Sequence, residues 1–229
     1  MNILAIDTST KRLCLGLMNR KGKIVEYNLD SGTRHTELLL PTIKKALRRI
    51  GFGLSEVDYF AVGLGPGSFT GLRIGLATIK GFALIFQKPV IGLPTLDTFA
   101  SNALPTSSKI ICPLVDARRN LLFTALYEIG LNGKLKRKSP YLLINIEELL
   151  KRLHSYRLVT FLGDGLQLYQ QRLKQGMRKS IFLNEETWYP RAKNLIKLSC
   201  NLINKGRLSD ARRIKPIYLY PKECQIRNV

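Results

Sequence analysis

The sequence predicts an α/β protein of two similar halves, each a mixed sheet that opens with an antiparallel meander and is covered by helices. Three observations carry this. Residues 2–7 (NILAID), 12–18 (RLCLGLM) and 23–29 (KIVEYNL) are short apolar runs separated by polar turns, the pattern of consecutive hairpins. Beyond them strands alternate with helices, which requires parallel pairings and helical cover. From Lys109 the same programme restarts: Ile111-Cys112-Pro113-Leu114-Val115-Asp116 repeats Ile3-Leu4-Ala5-Ile6-Asp7, an apolar strand ending in Asp before a short polar turn. An internal duplication is therefore expected.

Within the first half, Leu39, Ile43, Ala46, Leu47 and Ile50 fall on one face of a helix from Arg34 to Ile50, kinked or restarted at Pro41. Val57–Leu64 reads as a buried strand, Phe69–Phe86 as a helix, Pro89–Gly92 as a short strand and Leu96–Ala103 as a helix. Leu104-Pro105-Thr106-Ser107-Ser108 marks the boundary, giving lobes 1–104 and 105–229, with the last helix packing back on the first lobe. In the second half, Lys109–Val115 and Leu121–Tyr127 are strands, and Asn132-Gly133 is the turn before a third. Helices follow at Ile146–Leu153, Leu166–Lys174 and Arg191–Ile203, with a strand at Leu158–Leu162 before Gly163-Asp164-Gly165.

A chain of 229 residues, 45% hydrophobic, is large enough for substantial cores. The longest uncharged apolar stretches, such as Gly81–Phe86, are far shorter than the ~20 residues of a membrane span, and Asn2–Asp7 is strand-like rather than a leader, so a cytoplasmic protein without membrane contact is expected. Cys14, Cys112, Cys200 and Cys224 form no C-x-x-C pair; they are expected as reduced thiols, with neither disulfide nor zinc. The net charge of +21 attracts polyanions. The basic residues are nevertheless scattered (Lys44, Lys45, Arg48, Arg49; Lys136–Lys138; Arg212, Arg213), without the interleaved aromatics of a single-strand reader, which implies non-specific attraction to RNA.

The most informative stretch is Gly65-Pro66-Gly67-Ser68-Phe69-Thr70-Gly71-Leu72-Arg73-Ile74-Gly75, after a strand and opening a helix. Gly65 and Gly67 suit a close backbone approach, and Ser68 or Thr70 can cap the helix. The loop reads either as an anion cradle or as a tight strand-to-helix turn; it lacks the P-loop spacing and lysine. Gly71 and Gly75, each costing about 1 kcal/mol in a helix, form a stripe with Thr78 and Phe82. A close neighbour should offset that cost, and either internal packing or a partner supplies it. Ser68 lies outside a G-x-S-x-G elbow, His35 and His154 form no metal-binding pair, and no catalytic residue is assigned.

Taken with Asp7-Thr8-Ser9-Thr10, Arg34-His35-Thr36-Glu37, Pro94-Thr95-Leu96 and Val115-Asp116-Ala117-Arg118-Arg119, the Gly65–Gly75 stretch resembles the TsaB (YeaZ) family over most of residues 1–128. Gly163-Asp164-Gly165 and Pro216-Ile217-Tyr218-Leu219 fit less specifically, and Tyr220 stands where that family usually has an arginine after its last strand. The resemblance implies duplicated actin-like lobes (the ASKHA fold of actin, Hsp70 and sugar kinases, ribonuclease H-like in each half). It implies a non-catalytic scaffold in the formation of N6-threonylcarbamoyladenosine at position 37 of tRNAs reading codons that begin with adenine. The partners would be the catalytic sister subunit TsaD, which binds a metal through paired histidines on a helix, and the ATPase TsaE, with a functional link to the threonylcarbamoyl-adenylate synthase. The partner face would comprise Arg34, His35, Leu38, Gly71, Gly75, Thr78 and Phe82, joining TsaD in a four-helix bundle or a second copy as a homodimer. Asp7, Thr8, Ser9, Thr10, Gly65, Gly67 and Asp116 would be a vestigial nucleotide cleft, requiring no cofactor and binding ATP or ADP weakly. The alternatives are an ATP-dependent phosphotransferase of the same fold and an RNA-binding module.

Overall fold

The computed structural model describes residues 1–221. Its strands and helices run β1 (Ile3–Asp7), β2 (Arg12–Met18), β3 (Ile24–Asp30), α1 (His35–Ile50), β4 (Tyr59–Gly63), α2 (Phe69–Ile85), β5 (Val90–Leu93), α3 (Thr95–Asn102), β6 (Ile110–Arg118), β7 (Leu121–Thr124), β8 (Tyr127–Ile129), β9 (Leu135–Arg137), β10 (Leu142–Ile144), α4 (Ile146–Leu153), β11 (Val159–Leu162), α5 (Leu166–Gly176), β12 (Ser180–Phe182) and α6 (Ala192–Asn204). Two compact units result: Met1–Thr98 with Pro190–Ile217, and Phe99–Tyr189 with residues 218–221. The division falls inside α3 rather than after Leu104, because contacts, not the Pro/Ser/Thr composition of the linker, define the units.

The first unit is a five-stranded sheet in the order β3-β2-β1-β4-β5. The meander pairs antiparallel, with Ile3 opposite Met18 and Asp7 opposite Cys14, while β1, β4 and β5 pair parallel. Alternation along β1 divides the core. Leu4 and Ile6 face α1 and α2 together with Leu15, Leu39, Ile43, Phe60 and Ile79. Ile3 and Ala5 face the opposite way, against Leu195 and Ile196 of α6 with Ile91 and Leu93. The period of 2 thus places every second side chain under a different helix layer, and β1 is buried throughout.

α1 is one unbroken helix through Pro41. The proline removes only its own N–H bond, on an exposed side, and the buried stripe Leu39, Ile43, Ala46 and Ile50 holds the turns on either side. Gly51 ends the helix at φ 88°, donating its N–H to Leu47. α6 lies close on β2, where a Cβ at Gly16 would press on Ala192 and Ile196.

The second unit contains a sheet whose main path is β10-β7-β6-β11-β12. β6 pairs antiparallel with β7 and parallel with β11, and β11 pairs parallel with β12. This repeats the meander-then-parallel order of the first unit, with α4 and α5 in the chain positions of α1 and α2. The expected strand Leu121–Tyr127 is interrupted after Thr124. Its first part pairs with the end of β6 and with β10, whereas β8 pairs with the start of β6 and with β9. Pro216–Leu219 has no regular structure; Ile217 donates its N–H to the Leu64 carbonyl.

Cys14 and Cys112 are buried and Cys200 half-buried, all three as free thiols; Cys224 lies outside the described residues. Among the described residues no helix is long and apolar enough to cross a membrane. Replacing Gly16 by valine forces α6 away from β2 and is expected to destabilise the chain by about 1–3 kcal/mol through overpacking, read as a lower urea midpoint at unchanged m.

Candidate functional site

Asp7 ends β1, and its carboxylate is buried under the turn that follows. The Ser9 amide donates to Oδ1 at 2.8 Å and the Thr95 hydroxyl donates to Oδ2 at 2.8 Å. Thr95 itself accepts from the Gly65 amide at 3.1 Å, and its own amide donates to the Gly65 carbonyl at 2.8 Å. A Cβ at Gly63 would overlap the Asp7 carboxylate, so the neighbouring strand end must be glycine for that carboxylate to occupy this place. Burial pushes the Asp7 carboxyl above its ordinary range, with the bonds from Ser9 and Thr95 opposing.

The glycine-rich stretch docks on the same turn. Ser68 donates its amide to the Ser9 carbonyl at 2.7 Å, and its hydroxyl caps α2 by accepting from Gly71 at 3.2 Å. The Thr8 hydroxyl donates to the Gly71 carbonyl at 2.7 Å. A Cβ at Gly67 would overlap Ser9, and one at Gly71 or Gly75 would overlap Thr8. Of the two explanations open for Gly71 and Gly75, internal packing accounts for both. Asp7, Thr8, Ser9, Gly65 and Gly67 therefore form one closed cluster, which Thr95 completes although sequence reading did not assign it; the tripeptide Pro94-Thr95-Leu96 was its only signal.

His35 is buried too, and its Nε2 lies 3.1 Å from the Ser31 hydroxyl. The same hydroxyl lies 2.9 Å from the Lys11 carbonyl. Burial lowers the His35 pKa, while the Arg12 and Thr10 backbone carbonyls pull it up. The histidine thus ties the start of α1 to the β1–β2 turn, where Thr10 is also buried. Leu38 packs against the core cluster, on the side of α1 from which Lys45 reaches over Tyr27. The residues expected at a partner face consequently separate: His35, Gly71 and Gly75 are interior, Leu38, Thr78 and Phe82 are half-buried, and Arg34 is exposed.

Another set of side chains lies open on these helices. Leu40 of α1 is 55% exposed, and Leu84 and Ile85 of α2 are 49% and 73% exposed. A cavity of about 620 Å³ between α1 and α2 is lined by Leu40, Ile43, Leu47, Phe52 and Phe82, with Lys44 and Arg48 at its edge. An i, i+4, i+7 reading of α1 places Leu40, Lys44 and Leu47 on one stripe, beside the core stripe of Leu39, Ile43, Ala46 and Ile50.

In the second unit Asp116 is half-buried and stands apart from the Asp7 cluster in its chemistry. Its amide donates to Asp164 Oδ1 at 3.0 Å, its Oδ1 accepts from the Arg118 amide at 2.8 Å, and its Oδ2 lies 3.2 Å from the Arg118 guanidinium. Gly163, at φ 109°, lies where a Cβ would overlap the Leu114 backbone, so the Gly163-Asp164-Gly165 turn is built around β6. Arg118, Arg119 and Asn120 all have positive φ, and Tyr220 steadies the end of β6 by donating to the Ala117 carbonyl at 2.6 Å, its ring edge-on to Phe123. The described residues contain no group of three or more His, Cys, Asp and Glu side chains suited to a metal ion.

A meander followed by parallel strands, present twice, with Asp7 ending the first opening strand and Asp116 near the end of the second, defines a duplicated actin-like α/β protein. The comparisons narrow this class. The family model described as TsaD, tRNA N6-adenosine threonylcarbamoyltransferase, matches residues 30–222. The chain is 30% identical to the Escherichia coli tRNA threonylcarbamoyladenosine biosynthesis protein TsaB, covering 96% of this chain and 94% of that one, and 29% identical to the Bacillus subtilis TsaB, covering 98% and 96%. YeaZ from Pseudomonas aeruginosa superposes with a TM-score of 0.81 at 26% identity, covering 95% of this chain and 99% of that one. The chain belongs to the TsaB family.

The buried Asp7 gives the site a pH signature. Its folded pKa lies above the unfolded value of 3.8, so folding favours the neutral acid. The stability this contributes is full below pH 3.8 and is lost as pH rises through the folded pKa. Asp7→Asn does not titrate, so the stability of this variant relative to wild type should improve as pH rises above 3.8, measured by urea unfolding at each pH. A pH-independent difference would show that the carboxyl is not displaced upward.

Proposed function

We propose that the chain is a non-catalytic subunit in the formation of N6-threonylcarbamoyladenosine at position 37 of tRNA, pairing with TsaD and helping to recruit the ATPase TsaE. Full-length similarity to proteins named for this biosynthesis supports the pathway. The observation that carries the subunit role is the open apolar face of α1 and α2. Leu40, Leu84 and Ile85 project from helices whose other faces already build the core, and exposed apolar area of this kind favours association. A scaffold role also suits the Asp7 cluster: this carboxylate holds together the chain's own turn, α2 and Thr95.

An ATP-dependent phosphotransferase is the competing reading, and the half-buried Asp116 is the feature that favours it. In that reading the Asp116 carboxylate would have to leave Arg118 and face the metal ion that carries the phosphates. Nucleotide is expected to bind the isolated chain weakly and without turnover.

Purified chain, TsaD, TsaE and the threonylcarbamoyl-adenylate synthase should together modify tRNA in the presence of ATP. Omitting this chain should reduce the modified nucleoside, measured by mass spectrometry, by roughly tenfold or more, a loss of at least ~1.4 kcal/mol in effective transition-state stabilisation. Unchanged modification without the chain, or phosphoryl transfer by the chain alone, would overturn the proposal.

A further inference from the structure

The three glycines inside α2 differ in what surrounds them. Gly71 and Gly75 are occupied by Thr8, whereas among the described residues nothing lies within 4 Å of the position a Cβ would take at Gly81. A helix-interior glycine weakens the helix relative to alanine, and in this chain no contact offsets the loss at Gly81. One turn before it stands the exposed Ala77, and one turn after it the exposed Ile85, so the outer surface of α2 is low at Ala77 and Gly81 and rises at Leu84 and Ile85. Half-buried Thr78 and Phe82 connect this strip to the cavity beside α1.

The charges that α1 and α2 bring beside the strip are cationic, while the Glu56 carboxylate accepts from the Gly53 amide where that residue lines the cavity. Lys44 and Arg48 edge the cavity, and α2 adds Arg73 and Lys80. The only acid on either helix is Glu37, in the first turn of α1. A second copy docked isologously would bring this same cationic set against itself, at a cost in like-charge repulsion. A partner helix bearing carboxylates beside an apolar stripe would gain both burial and charge pairing.

We infer that the α1–α2 face receives an apolar helix flanked by acidic side chains, whose backbone approaches α2 most closely at Gly81 and whose carboxylates meet Lys44 and Arg48. The inference rests on the subunit reading above and deepens it by assigning the partner's chemistry and the point of closest approach. Gly81 replaces Gly75 as the glycine an interface requires. Leu40 replaces Leu38 as the outward apolar residue of α1.

The test compares wild type, Gly81→Leu and the double variant Lys44→Glu/Arg48→Glu for binding to TsaD by calorimetry at low and high salt. Urea unfolding and circular dichroism of each isolated chain accompany it. Because space is open at Gly81, Gly81→Leu is expected to leave the isolated chain as stable as wild type or more so, while weakening TsaD binding by roughly tenfold or more. A residue with a merely internal role would lose both together. The double charge variant is expected to weaken binding by roughly tenfold and to abolish most of its salt dependence. Wild-type chain that fails to bind TsaD overturns the subunit reading itself. Wild-type binding that survives Gly81→Leu overturns the close approach, and binding indifferent to charge reversal and salt overturns the acidic partner. Tight, salt-insensitive self-association through this face would show that a second copy is its occupant and overturn the inference.

Discussion

The first unit depends on how closely the start of α2 approaches the β1–β2 turn. That approach is permitted by glycine at positions 67, 71 and 75, where any Cβ would strike Ser9 or Thr8. It is held by polar bonds at both ends: Ser68 to the Ser9 carbonyl, Thr8 to the Gly71 carbonyl, and Asp7 between Ser9 and Thr95. Because these groups are buried, each needs its partner, and removing one leaves another unsatisfied at a cost of about 1–3 kcal/mol. The motif conspicuous in sequence is therefore a joint between strand, turn and helix. Its buried carboxylate is part of the joint.

The same arrangement explains why α2 is apolar nearly all round. One face meets β4 and the Thr8 turn, a second meets α1 near Phe82, and the third carries Ala77, Gly81, Leu84 and Ile85 outward. A helix of this composition on one side of a small sheet has more apolar surface than its own unit covers. Leu84 and Ile85 remain as that surplus on α2, and Leu40 adds to it on α1. The Gly71–Gly75 stripe fixes α2 within the chain, whereas no described residue fills the space beside Gly81.

Much of this architecture was legible in the sequence because strands and helices here announce themselves by period. The meander, α4 and α2 fall within a residue or so of their expected limits, since Leu4, Ile6, Leu13 and Leu15 alternate cleanly and Asn145 caps α4 through Glu148. What stayed hidden was tertiary. β10 and β12 are three-residue strands whose pairing depends on β7 and β11, distant in sequence. The break between β7 and β8 reflects two different neighbours along β6. At the site, spacing grouped Gly71, Gly75, Thr78 and Phe82 as one stripe and the resemblance joined Arg34, His35 and Leu38 to it as a partner face, although burial separates them; spacing along a helix cannot tell which neighbour lies beside a glycine. Thr95 escaped assignment for the same reason, since its role depends on Asp7, a residue from the opposite end of the unit's sequence.

Amide hydrogen exchange at Ser9, Gly65 and Ser68 tests the central claim most directly, because these three N–H groups bond Asp7, Thr95 and Ser9 and report whether the joint is closed. The account predicts exchange as slow as that of β1, through opening of the whole unit, and unchanged by millimolar magnesium-ATP. Rapid exchange at these amides while β1 remains protected, or selective protection by nucleotide, would contradict it by showing a turn that opens to accept a ligand.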